Sequence, residues 1–255
     1  MTNVVITMAG LGKRFRDAGY DCPKYRIEVH GRTLFAWSMT SLGSFIEAGA
    51  TFTFVARKED AARAFIEAQC QQMGIDVAAV IELDALTDGQ ATSALLAGAV
   101  LVHPDTPFLV YNIDTFVHPD ALPATAVRGD GWIPCFPGAG NGWSFARADG
   151  TGRVSEVREK LRISPHATVG LYWFASFDLY EQSYKDYYCG DLNLERGEKY
   201  IAPLYNHLIA ANSPVYLHEI PFDSVIPLGT PEEVRNFAAA TSPAVPRWSS
   251  NSSVA

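Results

Sequence analysis

Two glycines and two cations near the amino end carry the first chemical signal. The apolar, β-rich run Val4-Val5-Ile6-Thr7-Met8-Ala9 leads straight into Gly10-Leu11-Gly12-Lys13-Arg14, and Pro23-Lys24 follows. Glycines let a backbone approach a phosphate chain and turn its N–H groups inward, while Arg14 and Lys24 can neutralise phosphate charge. The same residues would also serve as a tight turn between strand and helix, with its basic side chains in water. No G-K-[ST] follows at Walker spacing, and the third glycine and ribose-binding acid of a dinucleotide fingerprint are missing, which weakens both the ATPase and dehydrogenase readings. Histidines at 30, 103, 118, 166, 207 and 218 show no metal-ligand spacing, and Cys22, Cys70, Cys135 and Cys189 form no C-x-x-C pair. These thiols read as reduced.

The elements that must hold such a loop follow from hydrophobic patterning. Residues 4–9 read as a buried parallel strand, 34–47 as a helix, 51–56 as a second strand and 60–73 as a helix. A strand at 77–81, an Ala/Leu-rich helix at 92–102 and a strand at 107–111 ending in Asn112-Ile113-Asp114 continue the alternation. This pattern predicts an α/β fold with helices on the faces of a parallel sheet. From residue 129 the pattern changes to short β-prone segments at 132–136, 143–147, 154–157 and 168–174 between Gly/Pro/Asp turns, which predicts a smaller, mixed β region. Helices are expected at 179–188, 201–211 and 231–239, the last opened by Pro231. A Ser/Pro/Ala tail at 241–255 follows a 1–240 domain and is expected to be mobile.

Composition narrows the classes. With 255 residues, 48% of them hydrophobic and 19% charged, the chain has enough apolar material for a sizeable core and no disordered composition. A net charge of −8 opposes general attraction to nucleic acid or anionic membrane, so a bound phosphate needs a local cluster of cations. No apolar run is long enough to span a bilayer, and the first residues do not resemble a signal peptide, so a cytoplasmic protein is expected.

The glycine loop then becomes specific by resemblance. Met8-Ala9-Gly10-Leu11-Gly12-Lys13-Arg14-Phe15, Pro23-Lys24 and Val29-His30-Gly31-Arg32 are similar to the amino-terminal signature of the sugar-1-phosphate nucleotidyltransferases, the NTP transferase family. Further on, Thr87-Asp88-Gly89-Gln90-Ala91 resembles that family's base-binding loop, Asn112-Ile113-Asp114 its metal aspartate and Glu159-Lys160 its E-K pair. Val169-Gly170-Leu171-Tyr172, Gly197-Glu198-Lys199-Tyr200 and Gly229-Thr230-Pro231-Glu232 resemble its later strand, its helix-opening acid segment and its closing turn. The motifs occur in family order across residues 1–238.

The resemblance implies a Rossmann-like three-layer α/β/α fold with a mixed, mostly parallel sheet and an acceptor-side β region. It also implies a reaction in which a nucleoside triphosphate and a phosphorylated acceptor, a sugar 1-phosphate first, give a nucleoside-diphospho product and pyrophosphate. Ala9, Gly10, Gly12, Arg14, Lys24, Gly89 and Asn112 would bind the nucleotide, and Gly142, Glu159, Lys160 and Gly170 the acceptor. Arg14, Lys24, Asp114 and Lys160 would be catalytic, with Asp114 holding Mg²⁺. An aspartate at the end of a buried strand suits that place, because ligands collect there in open α/β sheets and Mg²⁺ takes hard oxygen ligands. Surface-polysaccharide synthesis is the implied pathway, and a homo-oligomer is compatible with it.

The chain also departs from the pattern. Pro227 stands where the family commonly has a second metal-binding aspartate, so either Asp114 and substrate phosphates suffice or Asp223 reaches in. Arg26 after Pro23-Lys24 is either an additional cation or a surface charge. Trp143, Tyr172 and Trp173 either cover an acceptor, including a quaternary ammonium group by cation–π attraction, or pack a core. A cytidylyltransferase acting on a non-sugar phosphate or phosphonate such as phosphocholine is the alternative within the same chemistry. A metal-dependent glycosyltransferase is more distant, because Asn112-Ile113-Asp114 keeps only the last acid of a D-x-D motif. A nucleotide-sensing relic without turnover would rest on the missing second aspartate.

Overall fold

The computed structural model describes residues 1–101 and 103–245. The first half of the chain alternates strand and helix: β1 (Asn3–Thr7), α1 (Lys13–Asp17), the two-residue strands β2 (Glu28–Val29) and β3 (Arg32–Thr33), α2 (Leu34–Thr40), α3 (Gly43–Glu47), β4 (Thr51–Arg57), α4 (Arg63–Met73), β5 (Val77–Leu83), α5 (Gln90–Leu95) and β6 (Phe108–Asn112). The second half adds β7 (Thr115–Val117), β8 (Gly131–Phe136), β9 (Ser144–Ala148), β10 (Val154–Glu159), β11 (Ala167–Thr168), β12 (Leu171–Phe174), α6 (Phe177–Tyr187), α7 (Tyr205–Ala210), β13 (Val215–Glu219), β14 (Val225–Pro227) and α8 (Pro231–Ala239).

One mixed sheet runs in the order β10-β9-β11-β8-β12-β6-β1-β4-β5, with β13 paired to β8. Strands β6, β1, β4 and β5 are mutually parallel, whereas β12 enters antiparallel to both β6 and β8. The β-rich second half thus extends the same sheet mostly antiparallel, with β13 parallel to β8 and with β7 and β14 paired apart from it. Alternation along the strands sends side chains to opposite faces. Val4, Ile6, Phe52, Phe54, Leu109 and Tyr111 pack with Phe35, Ile66 and Cys70 of α2 and α4 on one face. Val5, Val55, Phe108 and Val110 pack with Ala94, Tyr180 and Leu208 of α5, α6 and α7 on the other. Three layers follow directly from strands that are apolar on both sides. A third cluster, built on Phe15, Trp37, Phe116, Leu228 and Phe237, fastens α8 against α1 and α2.

Several boundaries differ from the expected ones for local reasons. The helix expected at 34–47 divides after Thr40, whose hydroxyl donates back to the Ala36 carbonyl at 2.7 Å, and buried Ser41 spends its hydroxyl on accepting from Val117 N at 2.9 Å. The segment at 60–73 begins at the end of a 3-10 turn, Lys58–Asp60, and becomes α-helical only from Arg63, after Ala61 adopts φ 44°. The helix at 92–102 starts at Gln90 and passes into a 3-10 turn, Leu96–Val100, with residue 102 outside the described residues. The strand at 168–174 is cut at Gly170, and the helix at 201–211 is a 3-10 turn followed by α7. The sequence reading assigns no strand to 215–219, yet β13 lies parallel to β8 with Val215 and Leu217 buried. Of the tail expected at 241–255, residues 246–255 lie outside the described residues.

Candidate active site

The carboxyl ends of β1 and β6 lie side by side, because Thr7 pairs with Asn112 in the parallel register. The loops that leave these strands therefore open onto one edge of the sheet, where ligands of open α/β sheets collect. A cleft of about 1470 Å³ occupies this edge, and Ala9, Gly10, Gly12, Arg14, Lys24, Gly89, Asn112 and Asp114 all line it. Residues far apart in sequence are thus gathered around one space large enough for a nucleotide. Arg16 Nη2 donates to the Leu11 carbonyl at 2.6 Å and braces the glycine loop. Arg14 is exposed.

Asp114 follows β6 and is fixed by its main chain, since its carbonyl accepts from Leu228 N at 2.8 Å. Its carboxylate stands 3.3 Å from Lys24 Nζ, both side chains being partly exposed. Pro227 lies on β14 opposite Thr115 of β7, the residue after Asp114. Asp223 is exposed on the 3-10 turn Phe222–Ser224 and lines neither this cleft nor the smaller cavity described below. Among the described residues no three His, Cys, Asp or Glu side chains gather as a metal-binding group. The partly exposed Asp114 carboxylate, facing a cleft large enough for a nucleotide, is a hard oxygen donor that fits Mg²⁺ held otherwise by substrate phosphates and water, rather than a dedicated protein cage.

Gln90, Thr7 and Asn112 form one polar link across the cleft floor: Gln90 Nε2 donates to Thr7 Oγ1 at 2.9 Å and to Asn112 Oδ1. Gly170 stands behind Asn112. At φ 78° a Cβ there would meet Asn112 Nδ2 at 2.7 Å, and the Gly170 carbonyl accepts from Asn112 N at 3.0 Å. Gly170 thus buttresses Asn112. Gly142 is exposed with open space around it, and neither glycine lines either cavity.

Glu159 and Lys160 line a second, smaller cavity of about 180 Å³ together with Leu161, Glu195, Arg196 and Tyr200. Lys160 Nζ donates to Tyr200 Oη at 2.6 Å, lies 4.4 Å from the centre of its ring and 3.6 Å from Glu159 Oε1. Burial raises the Glu159 carboxyl above its ordinary range, against the opposing hydrogen bond from Ser144 and the nearby charge of Lys160.

The remaining open choices resolve locally. Tyr172 and Trp173 are buried in the core, and Trp143 packs edge-on to Phe136 and donates to the Ala139 carbonyl at 3.1 Å. Arg26 reaches the cleft wall with its guanidinium over Phe65 and donates to the Ala61 carbonyl at 2.9 Å. The sequence reading passes over Arg57, which ends β4 at the cleft and is gripped by Glu59 and Asp60. Its position two and three residues before the acids is the only signal it leaves.

Comparison with known proteins agrees with this geometry. A scan against family models and a search of curated proteins find no match. Among solved structures, the chain is similar to a nucleoside-diphosphate-sugar pyrophosphorylase from Vibrio cholerae, with 36% identity, a TM-score of 0.85, and 93% of this chain and 100% of that one covered. Similar in fold, at 15% identity, are an inositol-1-phosphate CTP transferase from T. maritima, with a TM-score of 0.71 over 95% and 98% of the two chains, and a Bacillus anthracis structure assigned as a glucose-1-phosphate thymidylyltransferase, with 0.70 over 94% of each. With the glycine loop, Lys24 and Asp114 converging on one cleft, and a full-length relative above one-third identity, the chain belongs to the sugar-phosphate nucleotidyltransferase family.

Proposed function

We propose that this protein transfers a nucleotidyl group from a nucleoside triphosphate to a sugar 1-phosphate, releasing pyrophosphate and supplying an activated sugar for glycan assembly in the cytoplasm. The observation that carries the reading is the convergence of the glycine loop, Arg14, Lys24 and Asp114 on one cleft at the carboxyl edge of the sheet.

The chemistry asks little of acid or base groups. An acceptor phosphate has a second pKa near ~6 and is a dianionic nucleophile at neutral pH. Its oxygen attacks the α-phosphorus, the new P–O bond forms as the bond to the β-phosphate oxygen breaks, and pyrophosphate leaves with that electron pair. Catalysis then depends on alignment and charge neutralisation. Backbone amides of Ala9, Gly10 and Gly12 cradle the triphosphate, and Arg14 and Lys24 offset its charge. Gly89 and Asn112 border the nucleoside. Lys160 holds the acceptor phosphate and is kept in place by Glu159. Asp114 would hold Mg²⁺, which would further neutralise the phosphate oxygens.

A screen of nucleoside triphosphates against phosphorylated acceptors, with pyrophosphate release as readout, tests the reading. Turnover of a sugar 1-phosphate supports it. Turnover confined to phosphocholine or another non-sugar phosphate moves the assignment to a cytidylyltransferase type. Absence of pyrophosphate release with every pair overturns it.

A further inference from the structure

Residues 195–200 border both the small cavity and the large cleft. Glu195 and Glu198 exchange two main-chain hydrogen bonds of 3.0 Å, closing a tight turn with Arg196 at φ 53° and Gly197 at φ 82°. Positive φ at both central residues is the geometry of a type I′ turn. Gly197 and Glu198 line the large cleft, whereas Glu195, Arg196 and Tyr200 line the small cavity.

The two residues after the turn are fastened in opposite directions. Lys199 is knitted into the start of α5 and the loop before it: its N–H donates to the Asp88 carbonyl at 2.9 Å, and its carbonyl accepts from Ala91 N, in the first turn of α5, at 3.0 Å. Its ammonium, nearly buried, lies 2.7 Å from an Asp88 carboxylate oxygen and 3.0 Å from one of Asp191. Tyr200 points the other way, to Lys160, and its own carbonyl accepts from Tyr188 Oη at 2.6 Å. Displacing the Asp88–Ala91 loop therefore drags the main chain of Lys199, and with it the phenol that holds Lys160.

The geometry points to Tyr200 as a positioning residue for Lys160, and to the Lys199–Tyr200 pair as the link through which nucleotide in the large cleft sets the acceptor site. The inference rests on reading Lys160 as the acceptor-phosphate cation. Tyr200 acts through Lys160, because its hydroxyl fixes where the Lys160 ammonium can meet a phosphate. Lys199 acts through the loop and lines neither cavity.

Steady-state kinetics with the sugar 1-phosphate and triphosphate that release pyrophosphate fastest in the screen test this. Tyr200→Phe should raise acceptor KM about ten-fold, the cost of one charge-assisted hydrogen bond, with nucleotide KM unchanged. Combined with Lys160→Ala it should add nothing, since a positioning residue has no effect once its target is gone. Lys199→Met should raise nucleotide and acceptor KM together; if it fails to fold, Asp191→Asn, which removes only one partner of the ammonium, should do so more weakly. Hydrogen exchange with the α,β-methylene analogue of that triphosphate should protect the Glu195, Glu198 and Lys199 amides in the wild type. Unchanged acceptor KM in Tyr200→Phe, additivity with Lys160→Ala, or no nucleotide-dependent protection would overturn the inference. Failure of the wild type to release pyrophosphate with any pair would instead strike the proposed function.

Discussion

Lys24 Nζ and Asp114 Oδ2 stand 3.3 Å apart, so the cation proposed for the triphosphate and the carboxylate proposed for the metal form one ion pair at the cleft. Each side chain holds the other in place before substrate enters. Lys24→Ala should therefore do more than remove charge, because it also frees Asp114. We expect kcat/KM to fall by about 10²–10³-fold with the thermal midpoint little changed, as for loss of a preorganised transition-state contact. Near-wild-type turnover in this variant would remove Lys24 from the machinery.

Asp114→Asn should abolish turnover supported by Mg²⁺ while leaving the fold intact, since the Leu228 hydrogen bond is made by the main chain of Asp114 and survives. Mn²⁺ binding followed by electron paramagnetic resonance, with nucleotide present, should weaken in parallel. A variant that binds Mn²⁺ as tightly as the wild type would place the metal elsewhere.

Lys160→Ala should raise the acceptor KM and leave nucleotide affinity unchanged, because Lys160 lines only the smaller cavity. Calorimetry with nucleotide alone, set beside the acceptor saturation curve, separates the two effects. Loss of nucleotide affinity with a fixed acceptor KM would reverse the assignment of the two cavities.

Gly89→Ala should destabilise the protein. A Cβ at this position would lie 2.3 Å from the Lys199 carbonyl oxygen and 2.5 Å from its nitrogen, at a φ of 147°. Neighbouring backbone cannot yield as a flexible side chain would, so a loss of about 2–4 kcal/mol is expected, read as a fall in chemical-denaturation midpoint. Nucleotide affinity should fall with it.

Stability should also carry a pH signature from Glu159. Its carboxyl is raised above the ordinary 4.5 by burial, so the folded protein holds that proton more tightly than the unfolded chain. Its contribution to stability is full below the unfolded value and declines as pH rises through the folded one. Glu159→Gln should remove this decline, so the stability of the wild type relative to the variant should drop as pH increases from about 4.5, in denaturation curves across that range. A difference that is flat with pH would show that the carboxyl is not raised.

The parallel half of the fold was legible because its determinants are local. A strand apolar on both faces announces its burial at once, whereas the glycine loop followed by cations also reads as a tight turn and becomes specific only beside the later motifs. Relationships made only by the folded chain were hidden. Gly89 reads as a ligand-facing glycine, and nothing near it in sequence tells that Lys199 runs against it. The resemblance puts Gly170 at the acceptor, and nothing near it in sequence tells that a side chain there would strike Asn112. Strand β13 is short, and its alternation becomes informative only beside β8. Lys199-Tyr200 reads as the opening of a helix, whereas the chain there is pinned between two loops before the 3-10 turn Ala202–Leu204 begins.

The placement of β12 between β6 and β8 has an evolutionary corollary. The strand that feeds the glycine loop lies inside the sheet between β6 and β4, and β10, which delivers Lys160, lies at an edge. Central strands are constrained by neighbours on both sides and by packing on both faces, while an edge strand answers to one neighbour. On the proposed assignment, the acceptor site at the edge is therefore freer to vary than the nucleotide site carried by the interior strands.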